Sequence, residues 1–151
     1  MKPQIMSFSF PEKAAIHFKR GYNCAQSVLL SMQEYHNCPN ELIPKIATAF
    51  GGGIGRCGSL CGALTGAIMA IGMKHGTNEP TPEKRMKAYT LGQKFYQEFL
   101  KKFGTPFCRE LVGYDLNDPL ELEKAYKANV FDEKCSQYVR KAVEILVALE
   151  T

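Results

Sequence analysis

The sequence predicts an all-α protein, a single-domain bundle of roughly six to seven helices around a central helix rich in small residues. Three observations carry this. Apolar residues recur at spacings of three and four, and no segment alternates convincingly with the period of two that a half-buried strand needs. Helix-start signals, in which Ser, Thr, Asn or Asp precedes Pro or stands three residues before Glu or Gln, recur along the chain. A length of 151 residues with 45% hydrophobic content suits one core. Residues 1–151 therefore read as one domain, its core running from about residue 9 to 150, with no linker, repeat or low-complexity tract.

The elements follow in order. Ser9 and Glu12 stand at capping-box spacing and open a helix that Gly21 ends, with Ala14, Ala15 and Phe18 as its apolar face. Asn23 and Gln26 repeat that spacing before a second helix from Cys24 to about Tyr35, whose stripe is Cys24, Val28, Met32 and Tyr35. Cys38-Pro39-Asn40 is a turn, and a third helix with Pro44 in its first turns should reach Phe50. Gly51-Gly52-Gly53-Ile54-Gly55 is a loop. The next helix runs to about Met73 and is predicted to be buried, because Gly58, Gly62 and Gly66 would form a ladder that lets another backbone approach; Cys61, Leu64, Ile68 and Ile71 make its larger stripe, and Gly72 or Gly76 ends it. Thr81-Pro82-Glu83 begins the longest helix, ending near Gly104, with Met86, Tyr89, Tyr96, Phe99 and Phe103 as an apolar side for the core or for a homodimer interface. Cys108, Leu111 and Val112 lie on a short helix closed by Gly113, Asp118-Pro119 opens another to about Ala128, and the last helix carries Cys135, Val139, Ala142, Leu146 and Leu149.

Composition excludes several functions. The formal charge of +4 is mild, and the lysines and arginine of the long helix (Lys84, Arg85, Lys87, Lys94, Lys101, Lys102) read as a solvated face, with no basic stripe interleaved with aromatics; nucleic acid is not an expected partner. Ala63 to Met73 is too short and glycine-rich to span a bilayer. Met1 to Phe10 has neither a long apolar run nor a cleavage pattern, so the expected location is cytoplasmic. In a reducing cytosol six cysteines point to metal or catalysis before a disulfide framework.

Four of those cysteines share a local grammar. Cys24 follows Asn23, Cys61 follows Ser59-Leu60, Cys108 follows Thr105-Pro106-Phe107, and Cys135 follows Asp132-Glu133-Lys134, each reading as a helix start. The first turn of a helix offers unpaired N–H groups and partial positive charge, which favour a thiolate; burial on an apolar stripe opposes this. Converging helix starts would suit the negative charge of an iron–sulfur cluster, or another metal held by Cys24, Cys61, Cys108 and Cys135 as ligands. The close C-x-x-C pairs of zinc ribbons are absent, as is the C-x-x-C-H of haem attachment, so no haem is expected, and any site must be assembled by tertiary folding. His17, His36 and His75 belong to no motif and read as surface or satisfied histidines. Gly53-Ile54-Gly55-Arg56-Cys57-Gly58 matches G-x-G-x-x-G in letters alone; without a preceding strand it predicts no nucleotide. Two other readings stand beside the metal centre. One is a thiol–disulfide oxidoreductase using Cys61 with Cys57 as the catalytic pair, or with another of the four. The other is a structural interaction module whose cysteines are simply buried.

Gly21-Tyr22-Asn23-Cys24-Ala25-Gln26, Phe50-Gly51-Gly52-Gly53-Ile54-Gly55, Cys61-Gly62-Ala63-Leu64-Thr65-Gly66-Ala67, Cys108-Arg109-Glu110-Leu111 and Cys135 together resemble the C_GCAxxG_C_C family. It comprises small bacterial proteins to which redox activity is ascribed, and it is distantly similar to the split-Soret cytochromes. The resemblance covers about residues 12–147, most specifically in C-G-A-x-x-G-A, and places the family's four cysteines on Cys24, Cys61, Cys108 and Cys135. Cys38 and Cys57 fall outside that set. It implies a redox or metal-centred role, as an electron carrier or accessory protein, with another oxidoreductase or electron-transfer protein as partner.

Overall fold

The computed structural model describes residues 7–151; Met1 to Met6, which the sequence reads as free of a targeting signal, lie outside the described residues. Among these residues the chain forms α1 (Phe10–Lys19), α2 (Cys24–Tyr35), a 3₁₀ helix (Lys45–Phe50), α3 (Gly62–His75), α4 (Pro82–Phe103), α5 (Cys108–Val112), α6 (Pro119–Lys127), and a π turn (Phe131–Cys135) that runs directly into α7 (Ser136–Glu150). No strand is present among them; the nearest approach to one is an isolated antiparallel bridge between Leu60 and Phe107.

Local chemistry explains most boundaries. Ser9 caps α1 by accepting from the Glu12 N–H. Asn23 and Gln26 form the reciprocal capping box of α2: Asn23 Oδ1 accepts from Gln26 N–H at 2.9 Å, and Gln26 Oε1 accepts from Asn23 N–H at 3.1 Å. α4 begins at Pro82 and stops at Gly104, which takes the left-handed conformation (φ 82°) that a side chain would resist. The expected helix up to Phe50 is instead one short 3₁₀ segment. Only six residues separate Pro44 from the glycine run, too few for a stable α nucleus but suited to a 3₁₀ piece.

α2, α3 and α7 pack against one another, α1 lies across α2 and α7, and α4 covers α3 and α7. The approach of α2 to α3 depends on two glycines. A Cβ at Gly66 would lie 2.6 Å from the Ala25 carbonyl oxygen, and one at Gly62 would lie 2.9 Å from both the Ala25 nitrogen and the Cys24 Cβ. The predicted ladder is therefore real at Gly62 and Gly66, whereas Gly58 lies in the preceding loop (φ 72°). Ala63 to Ala67, Ala70 and Ile71 are buried, as the ladder predicts, but Ile68 and Met73 face outward. On α4 the buried pair is Phe95 and Phe99, flanked by the partly buried Leu91 and Phe103, while Met86, Tyr89 and Tyr96 are exposed. Among the described residues α4 meets α3 and α7 closely, so a narrow stripe suffices and the other aromatics of the predicted side are exposed.

A second, smaller apolar cluster sits apart from the main core. It contains Cys108, Val112, Leu116, Ala125, Val130 and Cys135, and comes from α5, α6 and the π turn. Phe18, Cys24 and Tyr138 pack against both clusters. The seam between them lies over the N-terminal ends of α2, α3 and α7.

Candidate thiol centre

The seam holds a cavity of about 400 Å³, and Cys24, Cys61, Cys108 and Cys135 all line it. Each arrives from a different element. Cys24 is the first residue of α2, directly after its capping box. Cys61 is itself the N-cap of α3, one residue outside the helix that Ser59 was expected to cap. Cys108 opens α5 behind Phe107, so Thr105 and Pro106 lie further upstream than a cap. Cys135 closes the π turn in helical geometry (φ −63°, ψ −36°). Asp132 lies inside that turn rather than capping it, because the helical backbone already starts ahead of it at Val130 (φ −61°, ψ −38°).

Backbone hydrogen bonds lock two of these segments together. Cys61 N–H donates to Pro106 O at 2.8 Å, Cys108 N–H donates to Ser59 O at 2.7 Å, and Arg109 N–H donates to Gly58 O at 3.2 Å. The α2 capping box is tied to the same wall: Asn23 Nδ2 donates to Thr48 O and Gln26 Nε2 to Thr48 Oγ1. The Tyr138 hydroxyl donates to Leu111 O at 2.8 Å and holds α5 against α7.

The glycine-rich loop is more unusual than its sequence suggests. Five consecutive residues, Gly52, Gly53, Ile54, Gly55 and Arg56, have φ between 54° and 70°. L-residues enter this region singly and at a cost of about 1–2 kcal/mol each, and β-branched Ile54 is the least suited of all. The left-handed run presses the loop against α5: a Cβ at Gly53 would stand 2.6 Å from the Cys108 Cβ. Gly51, Gly52, Gly55 and Arg56 join the cavity wall.

Burial decides the state of the thiols. Cys61 is pushed from 9.0 to about 12, mainly by loss of water; the Ala63 and Leu64 N–H groups at the start of α3 oppose this and lose. Cys108 rises to about 11, again mainly by burial, with the Cys135 thiol adding to the rise and the Arg109 charge opposing it. Cys24 is raised well above its usual value, first by a hydrogen-bonding contact with the Cys135 side chain, then by burial and the neighbouring thiols. Of the two opposed influences that the sequence indicated, burial prevails over the helix start for Cys24, Cys61 and Cys108. A helix terminus contributes partial charges over one turn, whereas desolvation acts on the whole thiolate. Tyr138 is also raised, by burial and by Cys135, Cys61 and Cys108.

All six cysteines are free thiols. Among the described residues no three of the four lining sulfurs lie within 4.8 Å of one another. A single tetrahedral ion would hold all four about 4 Å apart. The set is therefore wider than one ion requires, while still enclosing one cavity. Cys57 is exposed and does not line it, although Cys57 O accepts from the Arg109 guanidinium at 3.3 Å; Cys38 is half-buried beyond the opposite end of α2.

Four widely spaced cysteines of an all-α protein thus line one cavity. The chain belongs to the C_GCAxxG_C_C family, described as "Putative redox-active protein (C_GCAxxG_C_C)", which it matches over residues 22–149. No significant match is found among curated proteins or among solved structures.

A second cluster carried no sequence motif. His36 and His75 are satisfied histidines, as read, but both contact one partner, the Glu150 carboxylate. The partners lie 114 and 75 positions apart, so no local spacing could have signalled them.

Proposed function

We propose that this protein is a redox carrier or accessory protein whose centre is an iron–sulfur cluster held by Cys24, Cys61, Cys108 and Cys135. The observation that carries this reading is that four thiols from four separate elements line one cavity of about 400 Å³. The donor set is soft, as iron–sulfur clusters demand. Its spacing suits a polynuclear centre better than a lone ion, because a cluster distributes its thiolates over several irons. Such a centre supplies one-electron chemistry.

The chain's own residues would prepare and tune it. Raised pKa values favour protonated Cys24, Cys61 and Cys108 thiols, so that metal entry would replace protons and ionise the sulfurs. The Ala63 and Leu64 N–H groups then stabilise the Cys61 thiolate, and Arg56 and Arg109 offset negative charge. Phe18, Leu116, Phe131 and other apolar residues limit water. The partner would be another oxidoreductase or electron-transfer protein.

Anaerobic reconstitution with iron and sulfide tests the ligand set. Wild type should gain broad visible absorbance, and Ser at Cys24, Cys61, Cys108 or Cys135 should strongly reduce it. Cys38→Ser and Cys57→Ser should leave it nearly unchanged. Equal behaviour of Cys38→Ser and Cys61→Ser would reject the assignment.

One observation favours a second reading. Cys24 and Cys135 line the same cavity, and the Cys135 side chain is the largest influence that raises the Cys24 thiol, as a dithiol pair would require. In this reading two S–H bonds are lost, one S–S bond forms, and two electrons pass to a disulfide acceptor. The exposed Cys57 would serve as an outer thiol for Cys61. A Cys24–Cys135 disulfide trapped during turnover with a small disulfide, in protein free of iron, would favour this reading.

A further inference from the structure

The C-terminal ends of the same helices hold a second constellation. His36 is the C-cap of α2, His75 the last residue of α3, and Glu150 the last residue of α7. α2 and α3 begin, and α7 is entered, at the thiol cavity, so these helices run parallel and the two constellations lie about 20 Å apart, the length of such helices. Helix C-termini carry partial negative charge, which favours a cation where three of them converge.

The three side chains are removed from water, being 4%, 14% and 8% exposed for His36, His75 and Glu150. His36 Nε2 stands 2.8 Å from both carboxylate oxygens, and His75 Nε2 stands 2.6 Å from Oε2. The imidazole rings meet edge to face at 6.0 Å. Both histidines thus aim the same ring nitrogen at one carboxylate, and the three ligand atoms fall within 4.8 Å of one another.

We propose that His36, His75 and Glu150 form a binding site for a divalent transition-metal ion such as zinc or iron(II). Two imidazole nitrogens and a carboxylate are the donors these ions prefer, whereas calcium and magnesium take oxygen ligands. With metal–ligand bonds of about 2.0–2.2 Å, tetrahedral ligand atoms stand about 3.4 Å apart, so the side chains need only open by less than about 1 Å. Three protein ligands leave one coordination position free. Beside it lies a second cavity of about 530 Å³, lined by His75 and Glu150 together with Thr90, Leu91, Lys87 and Lys94 of α4. The open position therefore faces a groove with two lysines, where water or a small anion can complete the coordination. The competing account is a hydrogen-bonded clamp in which both imidazoles simply donate to Glu150.

Cobalt(II) distinguishes this site from the thiols, because sulfur ligands give an intense charge-transfer band and nitrogen and oxygen ligands do not. The full chain, with its cysteines reduced and iron removed, is titrated with cobalt(II). The site predicts one ion bound without added sulfur charge transfer, and that uptake persists in Cys61→Ser. His75→Gln and Glu150→Gln should weaken it by more than the roughly 10–100-fold that loss of a supporting partner costs. If these variants fail to fold, proton NMR of cobalt-loaded wild type decides: two solvent-exchangeable, hyperfine-shifted imidazole N–H signals are expected. Uptake unchanged in both variants, uptake that is wholly sulfur-bound, or the absence of those two signals would overturn the proposal.

Discussion

Raising the pH should destabilise the metal-free, reduced protein through its buried thiols. Cys61 and Cys108 have folded values of about 12 and about 11, against 9.0 for an exposed thiol. The folded values are raised, so the native state retains protons that the unfolded chain releases. The stability contributed is therefore full below pH 9 and is lost as pH rises towards the folded values. Between pH 8 and pH 10 the loss is set almost entirely by the unfolded thiol and amounts to about 1.3 kcal/mol for each of Cys61 and Cys108. Cys24 is raised as well and acts in the same direction. Urea unfolding followed by far-UV circular dichroism, under reductant and chelator, measures this. Lysines and tyrosines also titrate near pH 10, so the comparison is with Cys61→Ala. The stability difference between wild type and Cys61→Ala should change by about 1.3 kcal/mol from pH 8 to pH 10, in the direction that makes the wild type relatively less stable at high pH. A difference that stays constant would refute burial as the dominant influence on Cys61. The opposite change would show that the helix start prevails.

Other substitutions probe the scaffold. Gly66→Ala places a methyl group 2.6 Å from the Ala25 carbonyl and should cost about 1–3 kcal/mol by forcing α2 from α3; an unchanged denaturation midpoint would contradict that packing. Ile54→Gly should stabilise the protein by about 0.5–1 kcal/mol, because relief of the left-handed strain at φ 67° exceeds the added freedom of the unfolded glycine. A loss of stability in that variant would mean that Ile54, though 43% exposed, packs more than its exposure suggests. Tyr138→Phe should cost about 1 kcal/mol, since it leaves the Leu111 carbonyl without its side-chain donor, again read from denaturation.

What was legible in the sequence was what short-range chemistry dictates. Asn23 with Gln26, Pro82 with Gly104, and Asp118 with Pro119 marked their helices because capping involves neighbours in the chain. Cys24, Cys61, Cys108 and Cys135 were legible as a set because all lie at or near helix starts, and all four line one cavity. The ionisation of Cys24, Cys61 and Cys108 was not legible. It depends on how much water the α5–α6 cluster excludes, a tertiary quantity that outweighs the local N–H groups. Cys135 lines the cavity, but the expected Asp132 cap is absent, since Asp132 is part of a continuous helical backbone. The third helix failed because a period of three or four over six residues cannot separate α from 3₁₀. The left-handed run at Gly52–Arg56 was foreshadowed by its glycines, but nothing local required Ile54 and Arg56 to join it. The His36–His75–Glu150 cluster arises only because three helices run parallel and end together.

The central claim is that Cys24, Cys61, Cys108 and Cys135 hold a cluster rather than act as separate thiols. The most direct measurement is iron and acid-labile sulfide per chain, together with low-temperature electron paramagnetic resonance, on protein purified without oxygen and examined before and after one-electron reduction. The account predicts several irons and matching sulfide per chain, with a paramagnetic signal that appears or disappears on reduction and is lost in Cys61→Ser and Cys135→Ser. A wild-type protein purified without oxygen that contains neither iron nor sulfide, takes up neither on reconstitution, and gives no such signal would contradict it.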